Sequence, residues 1–500
     1  MAARQQVSAS AEGPEGLGAR IDILVHAAAQ LSDDVEVHLD VTGGRADRLR
    51  RLVRAYGIEG RVMFEHSEST DVRVVAEPGT EATGAGAISR REPYLAWSLQ
   101  IPGGATRHVR TISELIDELE PRGHARTPRG VDEVFAGKRI AVVSNVPTHY
   151  RVPLWNLVSR RLRTAGGELL IFFSAGASDE QRPWLQHQPI EFEHSFQTTT
   201  RARHRWGPVD LEGELDKFRP SVVLSGGFSP FVTGKALRFA QRCRIPFGLW
   251  SGDTHLQATT KGQARRLQRM WITRRSSFAI SYGWLAAEYV RTLAPRIPVV
   301  IGRNTAPVPA IPPSVAEGRA LNFLAVGQAI PRKGLDVVVD AFRALEGVPC
   351  RLTIAGGGDE LPSLMARSQN DERIQFLGAV RSDEILACYE NADAFLFPSR
   401  SDVFGLVLVE AMGSGLPTIT APRPGAVADL AVNERNAIVL ESHDPNQWAQ
   451  TIRRVAENRE FREALGVRGR REIQRRWTID HSADAWIAAI RLGVMLGDEG

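Results

Sequence analysis

Two carboxylates, Asp402 and Glu410, lie around the start of an apolar helix, with seven residues between them. A short apolar strand at 394–397 precedes them and is stopped by Pro398. A strand, a loop and a helix in this order aim backbone N–H groups and the positive end of the helix dipole at an anion. Asp402 falls in the loop and Glu410 inside the helix, where each can accept hydrogen bonds from hydroxyl groups. The pattern predicts a site for a ligand with phosphates and hydroxyls, and a nucleotide sugar has both.

A lysine can supply the positive charge that such a ligand requires. Lys333 lies in a Pro-Arg-Lys-Gly turn that follows a buried-type strand at 323–326. When a bond between a sugar and a diphosphate breaks, negative charge grows on the phosphate oxygens. A lysine and helix-terminal N–H groups in a water-poor cleft stabilise that charge without reorganising. A lone lysine is usually a solvated surface cation, but the turn and its strand favour the phosphate-binding role here.

The motifs of the C-terminal half resemble those of the retaining GT-B glycosyltransferases of family 4, the glycosyl transferases group 1. They comprise two strands with glycine turns, a third strand, the acidic pair and a closing Gly-Leu-Pro strand, at 323–334, 352–360, 373–378, 399–412 and 415–420. Each motif alone is a weak signal. Five of them in register make the resemblance specific.

The resemblance implies an α/β fold of the GT-B type, in which two doubly wound Rossmann-like domains face a cleft. It implies that Asp402 binds hydroxyls of the donor sugar and that Glu410 binds those of the ribose. The donor-binding positions that it implies are Gln328, Arg332, Lys333, Gly357, Val380, Arg381, Phe404, Gly405, Leu406, Val407 and Glu410. The family often has Arg where this chain has Gln328, so phosphate binding is expected to depend more on Lys333 and Arg332.

The resemblance also implies the reaction: a front-face displacement with retention, in which the departing phosphate takes the proton of the acceptor hydroxyl. Glycosidases instead use two carboxylates that flank the bond, one of them as an acid, and this pair does not fit that pattern. Asp393 reads as a turn residue before a strand rather than as part of an Asp-x-Asp metal motif. We predict no metal and no cofactor besides the donor substrate.

Two other classes of protein remain open. One is a nucleotide-sugar epimerase on the same fold, which the spacing of Asp402 and Glu410 disfavours. The other is a binding-only partner subunit, which the presence of Lys333 together with this pair disfavours. An isolated Asp before a helix is usually a simple N-cap, and that is the plain structural alternative for Asp402.

The alternation of buried-type strands and helical spacing predicts the domain organisation. The chain divides into a disordered tail (1–18), a degenerate partial copy of a nucleotide-binding domain (19–120), a linker (121–137), an acceptor domain (138–305), a donor domain (306–480) and a crossover helix (481–500).

The partial copy is inferred from a repeat, because residues 21–64 follow the pattern of 335–376 with small gaps. It has no lysine at the position of Lys333 and no acidic pair. The alternative is that any βαβ unit shows such spacing.

Acceptor contacts are predicted from loops that follow strands of the first large domain, because the carboxyl ends of parallel strands face the cleft. His149 follows the strand at 139–144, and Asp253 and His255 follow the strand at 246–250. A histidine in such a loop is more often a local hydrogen-bonding residue than a catalytic one. The expected partners are a nucleotide-sugar donor and a hydroxyl acceptor, which can be a sugar, a lipid-linked sugar or a small molecule.

Composition excludes several classes of protein. A net charge of +4, from 62 Lys and Arg against 58 Asp and Glu, is too small for a nucleic-acid-binding protein. Three scattered cysteines indicate a reducing cytoplasm. The N-terminus lacks the apolar core of a secretory signal, and no apolar run reaches the ~20 residues of a membrane span. The basic segment 261–275 is consistent either with a solvated helix face or with peripheral contact at the inner membrane surface, which would suit a lipid-linked acceptor.

Overall fold

The fold contains three α/β units, each built on its own sheet. The computed structural model describes residues 5–10, 25, 35–40, 44–56, 62–63, 72–77, 96–101, 105–109, 133–174, 189–197, 199–202, 205–208, 210–258, 262–308, 319–369, 371–381 and 384–499. Within this part of the chain, no helix combines the length and the apolar character needed to cross a bilayer.

The N-terminal unit is a six-stranded sheet with one described helix. Its elements are β1 Gln5–Ser10, β2 Val35–Asp40, α1 Gly44–Tyr56, β3 Val62–Met63, β4 Val72–Glu77, β5 Ala96–Ile101 and β6 Ala105–Val109. The strand order is β3-β2-β1-β4-β5-β6; the first four strands are parallel, and β5 and β6 are antiparallel additions.

Residues 5–10 of the predicted disordered tail (1–18) form strand β1, and the rest of that range lies outside the described residues. Strand β1 pairs with both β2 and β4, so it lies at the centre of its sheet. The segment is Gln-Gln-Val-Ser-Ala-Ser and has no apolar run, so local sequence gives no strand signal and the pairing depends on long-range partners. Of the predicted linker (121–137), residues 121–132 lie outside the described residues. Phe135, in the described part of that range, is fully buried in the core of the next domain.

The acceptor domain is a seven-stranded sheet in the order β15-β14-β13-β12-β7-β8-β9, with every described pairing parallel. Its central strands are continuous apolar runs, as expected where helices cover both faces. The strands are β7 Arg139–Ser144, β8 Glu168–Phe173, β9 Glu193–Phe196, β12 Val222–Gly226, β13 Phe247–Ser251, β14 Phe278–Ser281 and β15 Val299–Ile301, with β10 Thr199–Ala202 and β11 Arg205–Pro208 as a separate ribbon. The helices are α2 Val152–Thr164, α3 Leu211–Phe218, α4 Thr233–Cys243, α5 His255–Ala258, α6 Gly262–Arg275 and α7 Trp284–Leu293.

The donor domain is a six-stranded parallel sheet in the order β18-β17-β16-β19-β20-β21. Its strands are β16 Leu321–Val326, β17 Cys350–Ala355, β18 Ile374–Gly378, β19 Ala394–Phe397, β20 Thr418–Thr420 and β21 Ile438–Val439. A 3-10 turn spans Pro331–Lys333, and the helices are α8 Leu335–Ala344, α9 Leu361–Ser368, α10 Ile385–Glu390, α11 Leu406–Gly413, α12 Gly425–Leu430, α13 Pro445–Glu457 and α14 Arg459–Arg476.

The order of the first four strands is the same in the N-terminal unit and in the donor domain. In each, the first strand of the unit is central, the second and third extend the sheet on one side, and the fourth pairs on the other. This shared order is what an incomplete copy of the donor domain would show. The copy departs from the donor domain at β5, where the chain turns antiparallel.

The last helix, α15 Ile479–Asp498, leaves the donor domain and packs on the acceptor domain. Trp486 meets Trp155 and Trp250 there, at ring-centroid distances of 4.7 and 5.0 Å. The same helix contacts the N-terminal unit, because Arg491 Nη1 donates a hydrogen bond of 2.5 Å to Ala55 O at the end of α1. Helix α15 therefore joins all three units.

Candidate functional site

Three glycine-containing turns pack together at the carboxyl ends of the donor-domain strands. Gly327 N donates to Ala355 O, and Gly356 N donates to Gly378 O, so hydrogen bonds join the turns after β16, β17 and β18. A Cβ on Gly356 would lie 1.8 Å from Gly327 O, and one on Gly334 would lie 2.2 Å from Pro398 O. A side chain at either position would occupy the space of another backbone segment, so both positions require glycine.

The predicted lysine and the predicted aspartate meet at this edge. Lys333 Nζ donates to Asp402 Oδ2, and Arg332 Nη1 lies 3.5 Å from Asp402 Oδ1. The loop after β19 is held on the lysine turn because Arg400 N donates to Arg332 O at 2.9 Å. The side chains of Lys333 and Asp402 are each only 12% exposed. Two residues 69 positions apart therefore form one largely buried, charge-balanced pair.

Helix α11 presents its N-terminus without a capping side chain. Gly405 is its N-cap, with φ of 94°, a conformation that favours glycine. The first N–H groups of a helix have no intrahelical partner, so those of Leu406 and Val407 are available to an anion. Asp402 lies before this position and pairs with Lys333, so it is not the N-cap of this helix.

Glu410 is buried on the same helix and is held by a tyrosine. Tyr389 Oη, on α10, donates to Glu410 Oε2 at 2.6 Å. Burial raises the pKa of Glu410, and the hydrogen bond from Tyr389 opposes that rise. Burial and the carboxylate raise the pKa of Tyr389 well above 10, so it remains a donor. Sequence reasoning did not find Tyr389, because a tyrosine in a short helix carries no motif.

We predict that Tyr389→Phe weakens ribose recognition more than it slows turnover. Loss of the hydroxyl leaves a buried carboxylate without its donor, which costs ~1–3 kcal/mol in stability or in ligand binding. The KM for the donor should rise by about five- to tenfold, with kcat little changed. The measurement is steady-state kinetics together with binding of a ribonucleoside diphosphate and its 2′,3′-dideoxy analogue.

The preference for the ribonucleotide should shrink in Tyr389→Phe and should not change in Tyr289→Phe, a matched variant in the acceptor domain. An unaltered preference for the ribonucleotide in both variants would contradict the prediction that Tyr389 supports ribose recognition through Glu410.

The other predicted donor residues lie along the same edge of the sheet. Gln328 and Arg332 are exposed, and so is Arg381 in the loop after β18. Phe404 is buried and stacks on Trp477 at 6.1 Å, so its side chain packs rather than faces the ligand. The structure thus places the following predicted residues in turns or loops at the carboxyl ends of the strands: Gln328, Arg332, Gly357, Val380, Arg381 and Gly405.

On the acceptor side, the predicted residues are in partly buried polar contacts. Asp253 pairs with Arg269, whose Nη1 donates to Tyr289 Oη at 2.9 Å. His255 packs edge-on against Tyr289, with 5.2 Å between the ring centroids. Burial lowers the pKa of both His149 and His255. Both imidazoles are therefore expected to be neutral at pH 7.

Sequence reasoning also missed Asp429, whose carboxyl group joins the two domains. Both oxygens of Asp429, on α12, accept from Trp284 N at the start of α7, at 3.0 and 3.1 Å. Burial raises the pKa of Asp429 to about 8. Helix α12 is also tied to the donor loop, because Ala426 N donates to Phe404 O at 2.8 Å. The donor loop and the acceptor domain are therefore linked through one short helix.

No group of three or more His, Cys, Asp or Glu side chains with metal-binding geometry occurs in the described part of the chain. The nearby carboxylates are instead committed to Lys333, Tyr389 and Trp284 N.

Solved structures define the class of fold. The chain is similar to sucrose-phosphate synthase from Thermosynechococcus elongatus, with a TM-score of 0.55, 16% identity and coverage of 69% of this chain and 96% of that one. It is similar to HepE from Anabaena, in complex with UDP-glucose, with a TM-score of 0.55, 15% identity and coverage of 70% and 98%. The fold is that of the GT-B glycosyltransferases, and the fold predicted from the sequence is confirmed.

A family model matches one part of the chain. Residues 312–472 match the model of the glycosyl transferases group 1, a range that includes Lys333, Asp402 and Glu410. The resemblance to group 1 enzymes is thereby confirmed for this part of the chain.

The curated relatives are similar over part of their length. An uncharacterized glycosyltransferase of Methanocaldococcus jannaschii is 29% identical over 153 residues, 30% of this chain and 42% of the relative. D-inositol 3-phosphate glycosyltransferase of Mycolicibacterium smegmatis is 32% identical over 173 residues, 33% of this chain and 38% of the relative. A GDP-mannose-dependent alpha-(1-6)-phosphatidylinositol monomannoside mannosyltransferase of Mycobacterium tuberculosis is 27% identical over 177 residues, 33% and 45% respectively. The chain spans less than half the length of each relative.

Proposed function

We propose that this chain is a retaining glycosyltransferase that moves a sugar from a nucleoside-diphosphate sugar to a hydroxyl acceptor, in the synthesis of a glycan, a glycolipid or a glycosylated metabolite. One observation carries the proposal: Lys333, Asp402 and the uncapped N-terminus of α11 converge at one edge of the sheet. That edge lies within the group 1 donor domain. Cation, helix terminus and carboxylate there match the diphosphate and the hydroxyls of a nucleotide sugar.

The roles of the residues follow from this arrangement. Lys333 and the N–H groups of Leu406 and Val407 bind the diphosphate, Asp402 binds sugar hydroxyls, and Glu410 binds the ribose. The bond from the anomeric carbon to the phosphate oxygen breaks, and the bond to the acceptor oxygen forms on the same face. The acceptor proton passes to the departing phosphate, so the reaction requires no protein base. Lys333 and Arg332 supply the positive charge, and we propose that neither a metal nor a cofactor is required.

The pair of Lys333 and Asp402 prepares the site for its ligand. A largely buried lysine without a counter-charge would be costly, and Asp402 supplies that charge before the donor arrives. An incoming diphosphate competes for Lys333 Nζ. Asp402 is then released toward the hydroxyls of the sugar, so one ion pair couples phosphate binding to sugar binding.

The acceptor class is proposed from the relatives. Their names specify D-inositol 3-phosphate and phosphatidylinositol monomannoside, which are a polyol phosphate and a lipid-linked glycan. We propose an acceptor of comparable chemistry, a polyol or a glycosylated carrier, for this chain. The three cysteines are unpaired, which agrees with a site of action in the reducing cytoplasm, where nucleotide sugars are available.

Peripheral contact with a membrane is proposed from the surface of α6. Leu267 is 65% exposed and Trp271 is 38% exposed on a helix rich in arginine, and Arg275 lies 4.8 Å from the ring centroid of Trp271. Exposed apolar side chains among cations suit an anionic lipid surface.

Vesicle sedimentation tests this contact. The full chain should bind phosphatidylglycerol vesicles, and Leu267→Glu should reduce binding by about tenfold. The matched substitution Val467→Glu, at an apolar residue 67% exposed on the donor domain, should have no effect. Equal binding by both variants would contradict membrane contact through α6.

A binding-only partner subunit is the second candidate. One feature of the N-terminal unit favours this candidate. Its sheet repeats the donor-domain strand order, but the unit has neither the lysine nor the acidic pair. The chain thus already contains one nucleotide-binding-type sheet that lacks the catalytic residues.

Thermal stabilisation by nucleotides tests the proposed function. UDP, GDP, ADP and dTDP are added in turn, and the donor nucleotide should raise Tm by mass action, with about 2.7 kcal/mol of stabilisation at 100 times its Kd. Hydrolysis or transfer of the matching nucleotide sugar then separates an enzyme from a binding subunit. No stabilisation by any nucleotide in a folded sample would contradict the donor site itself.

A further inference from the structure

A buried arginine lies at the carboxyl edge of the acceptor-domain sheet, outside the donor site. Arg151 follows the loop after β7 and is the N-cap residue of α2; it is only 6% exposed. Its guanidinium carbon lies 3.9 Å from the ring centroid of Trp250 and 5.0 Å from that of Tyr282. Stacking on Trp250 holds the guanidinium plane in one orientation.

This cation lacks a counter-charge among the described residues. Its guanidinium reaches a neutral acceptor: Nη2 donates to Asn304 Oδ1 at a long 3.4 Å. Asp253, in the loop after β13, is paired with Arg269 instead. A buried charge without a partner is costly unless a ligand completes it.

Four buried side-chain atoms have no hydrogen-bond partner, on residues just before Arg151 in the chain or on and beside its ring contacts Trp250 and Tyr282. They are Thr148 Oγ1 and His149 Nδ1 in the loop after β7, Trp250 Nε1 on β13 and Ser281 Oγ at the end of β14. Trp250 is 3% exposed and Ser281 is fully buried. A buried cation next to the unpartnered hydroxyl of Thr148 matches an oxyanion.

The position of this cluster is at the boundary of the two domains. Tyr282 packs against the cores of both the acceptor domain and the donor domain. Asn304 lies in the segment that connects the domains, where its carbonyl accepts from Trp477 Nε1 at 2.8 Å. A ligand group bound by Arg151 would therefore lie at the boundary of the two domains, on the acceptor-domain side.

We propose that Arg151 binds an anionic group of the acceptor, so that the acceptor is a phosphorylated or carboxylated hydroxyl compound. This inference rests on the proposed transferase function and specifies the substrate class of that site. The donor diphosphate already has a cation and a helix terminus of its own in the other domain. Arg151, held between Trp250 and Tyr282, therefore provides a second and separate oxyanion site.

The test is phosphate binding to the full chain with the donor site filled. Calorimetric titration of inorganic phosphate is made in a saturating concentration of the nucleoside diphosphate that stabilises the protein. Arg151→Met keeps an unbranched stem against Trp250 but removes the charge. Arg139→Met is the control, because Arg139 also lies over an aromatic ring, that of Phe218 at 4.4 Å, and is remote from this cluster in the fold.

The wild type and Arg139→Met should bind phosphate, and Arg151→Met should bind it at least about tenfold more weakly, as expected for loss of charge-assisted hydrogen bonds. Nucleotide affinity should be equal in all three proteins. Trp250→Phe, which replaces the indole by a smaller ring without an N–H, should weaken phosphate binding by a smaller factor and serves if Arg151→Met does not fold.

Three results would overturn the proposal. Equal phosphate affinity in wild type and variants would make Arg151 a packing residue. A parallel loss of nucleotide affinity in Arg151→Met would assign the guanidinium to the donor diphosphate. Absence of phosphate binding to a nucleotide-bound wild type would remove the anion site while the donor site stands. Failure of the proposed function shows separately, as no nucleotide binding in the first titration.

Discussion

Replacing Lys333 with alanine should reduce glycosyl transfer by about 10²–10³-fold, the usual loss when one preorganised charge-stabilising group is removed from a transition state. The effect should fall mainly on kcat, because negative charge on the departing phosphate grows as the bond breaks. The affinity for the nucleoside diphosphate should also fall. The measurements are initial rates with the donor identified by thermal stabilisation, and calorimetric binding of the nucleotide.

The matched control is Lys217→Ala. Lys217 is an exposed lysine whose Nζ is 2.8 Å from Glu214, on the opposite domain from the donor site. The Lys217→Ala variant should have wild-type activity. Circular dichroism should show that Lys333→Ala is folded, although Asp402 loses its main partner. A folded Lys333→Ala with full activity would exclude Lys333 as the phosphate ligand and would require a different position for the donor.

Replacing Gly356 with alanine should destabilise the donor domain by at least ~3 kcal/mol, at the upper end of the cost of overpacking. A Cβ there would lie 1.8 Å from Gly327 O and 2.6 Å from Gly327 C, and the backbone at Gly356 has φ of 154°. Backbone cannot move aside as a flexible side chain can. Because the turns after β16 and β17 are in direct contact, nucleotide binding should be lost together with stability.

Gly347 provides the control for that experiment. It has φ of 70°, but no atom lies within 4 Å of an added Cβ. Alanine there incurs only the left-handed backbone cost of ~1–2 kcal/mol. Thermal unfolding with and without nucleotide should therefore separate the two variants. Equal shifts in Tm would mean that the turns after β16 and β17 are not packed as described.

Helix α15 also explains how the N-terminal unit is attached. Leu49, Leu52 and Val53 of α1 are buried in the same apolar core as the acceptor domain. Arg51 pairs with Glu499 at 2.9 Å on the exposed margin of this contact. The N-terminal unit is therefore docked, through α1, on the helix that follows the donor domain.

Much of the donor site could be predicted from the sequence because its signals are local. A strand, a glycine turn and a lysine in Pro331–Lys333, or a loop followed by an apolar helix at Leu406–Gly413, are set by neighbours along the chain. Parallel strands place such turns on one edge whatever the rest of the chain does. The positions of Lys333, Asp402 and Glu410 on that edge follow from these rules.

The sequence was a poorer guide where no local pattern exists. Strand β1 has the polar composition of a tail, yet it is the central strand of its sheet because β2 and β4 pair with both of its edges. The acceptor residues were chosen by their position after strands, and the structure shows Asp253 paired with Arg269. The position at the end of a strand predicts where a side chain lies. It does not predict the partner of that side chain, which for Asp253 lies on helix α6.

By itself, the sequence determined the class of fold, and it predicted the proposed donor edge and its charged residues, because each depends on order and spacing along one strand, turn or helix. Only the tertiary structure decided the partners: Lys333 with Asp402, Glu410 with Tyr389, and Asp429 with Trp284 N across the domain boundary. It also placed Arg151 between Trp250 and Tyr282 without a carboxylate. These contacts join residues that are 21 to 145 positions apart, and no rule of spacing connects residues on separately packed elements.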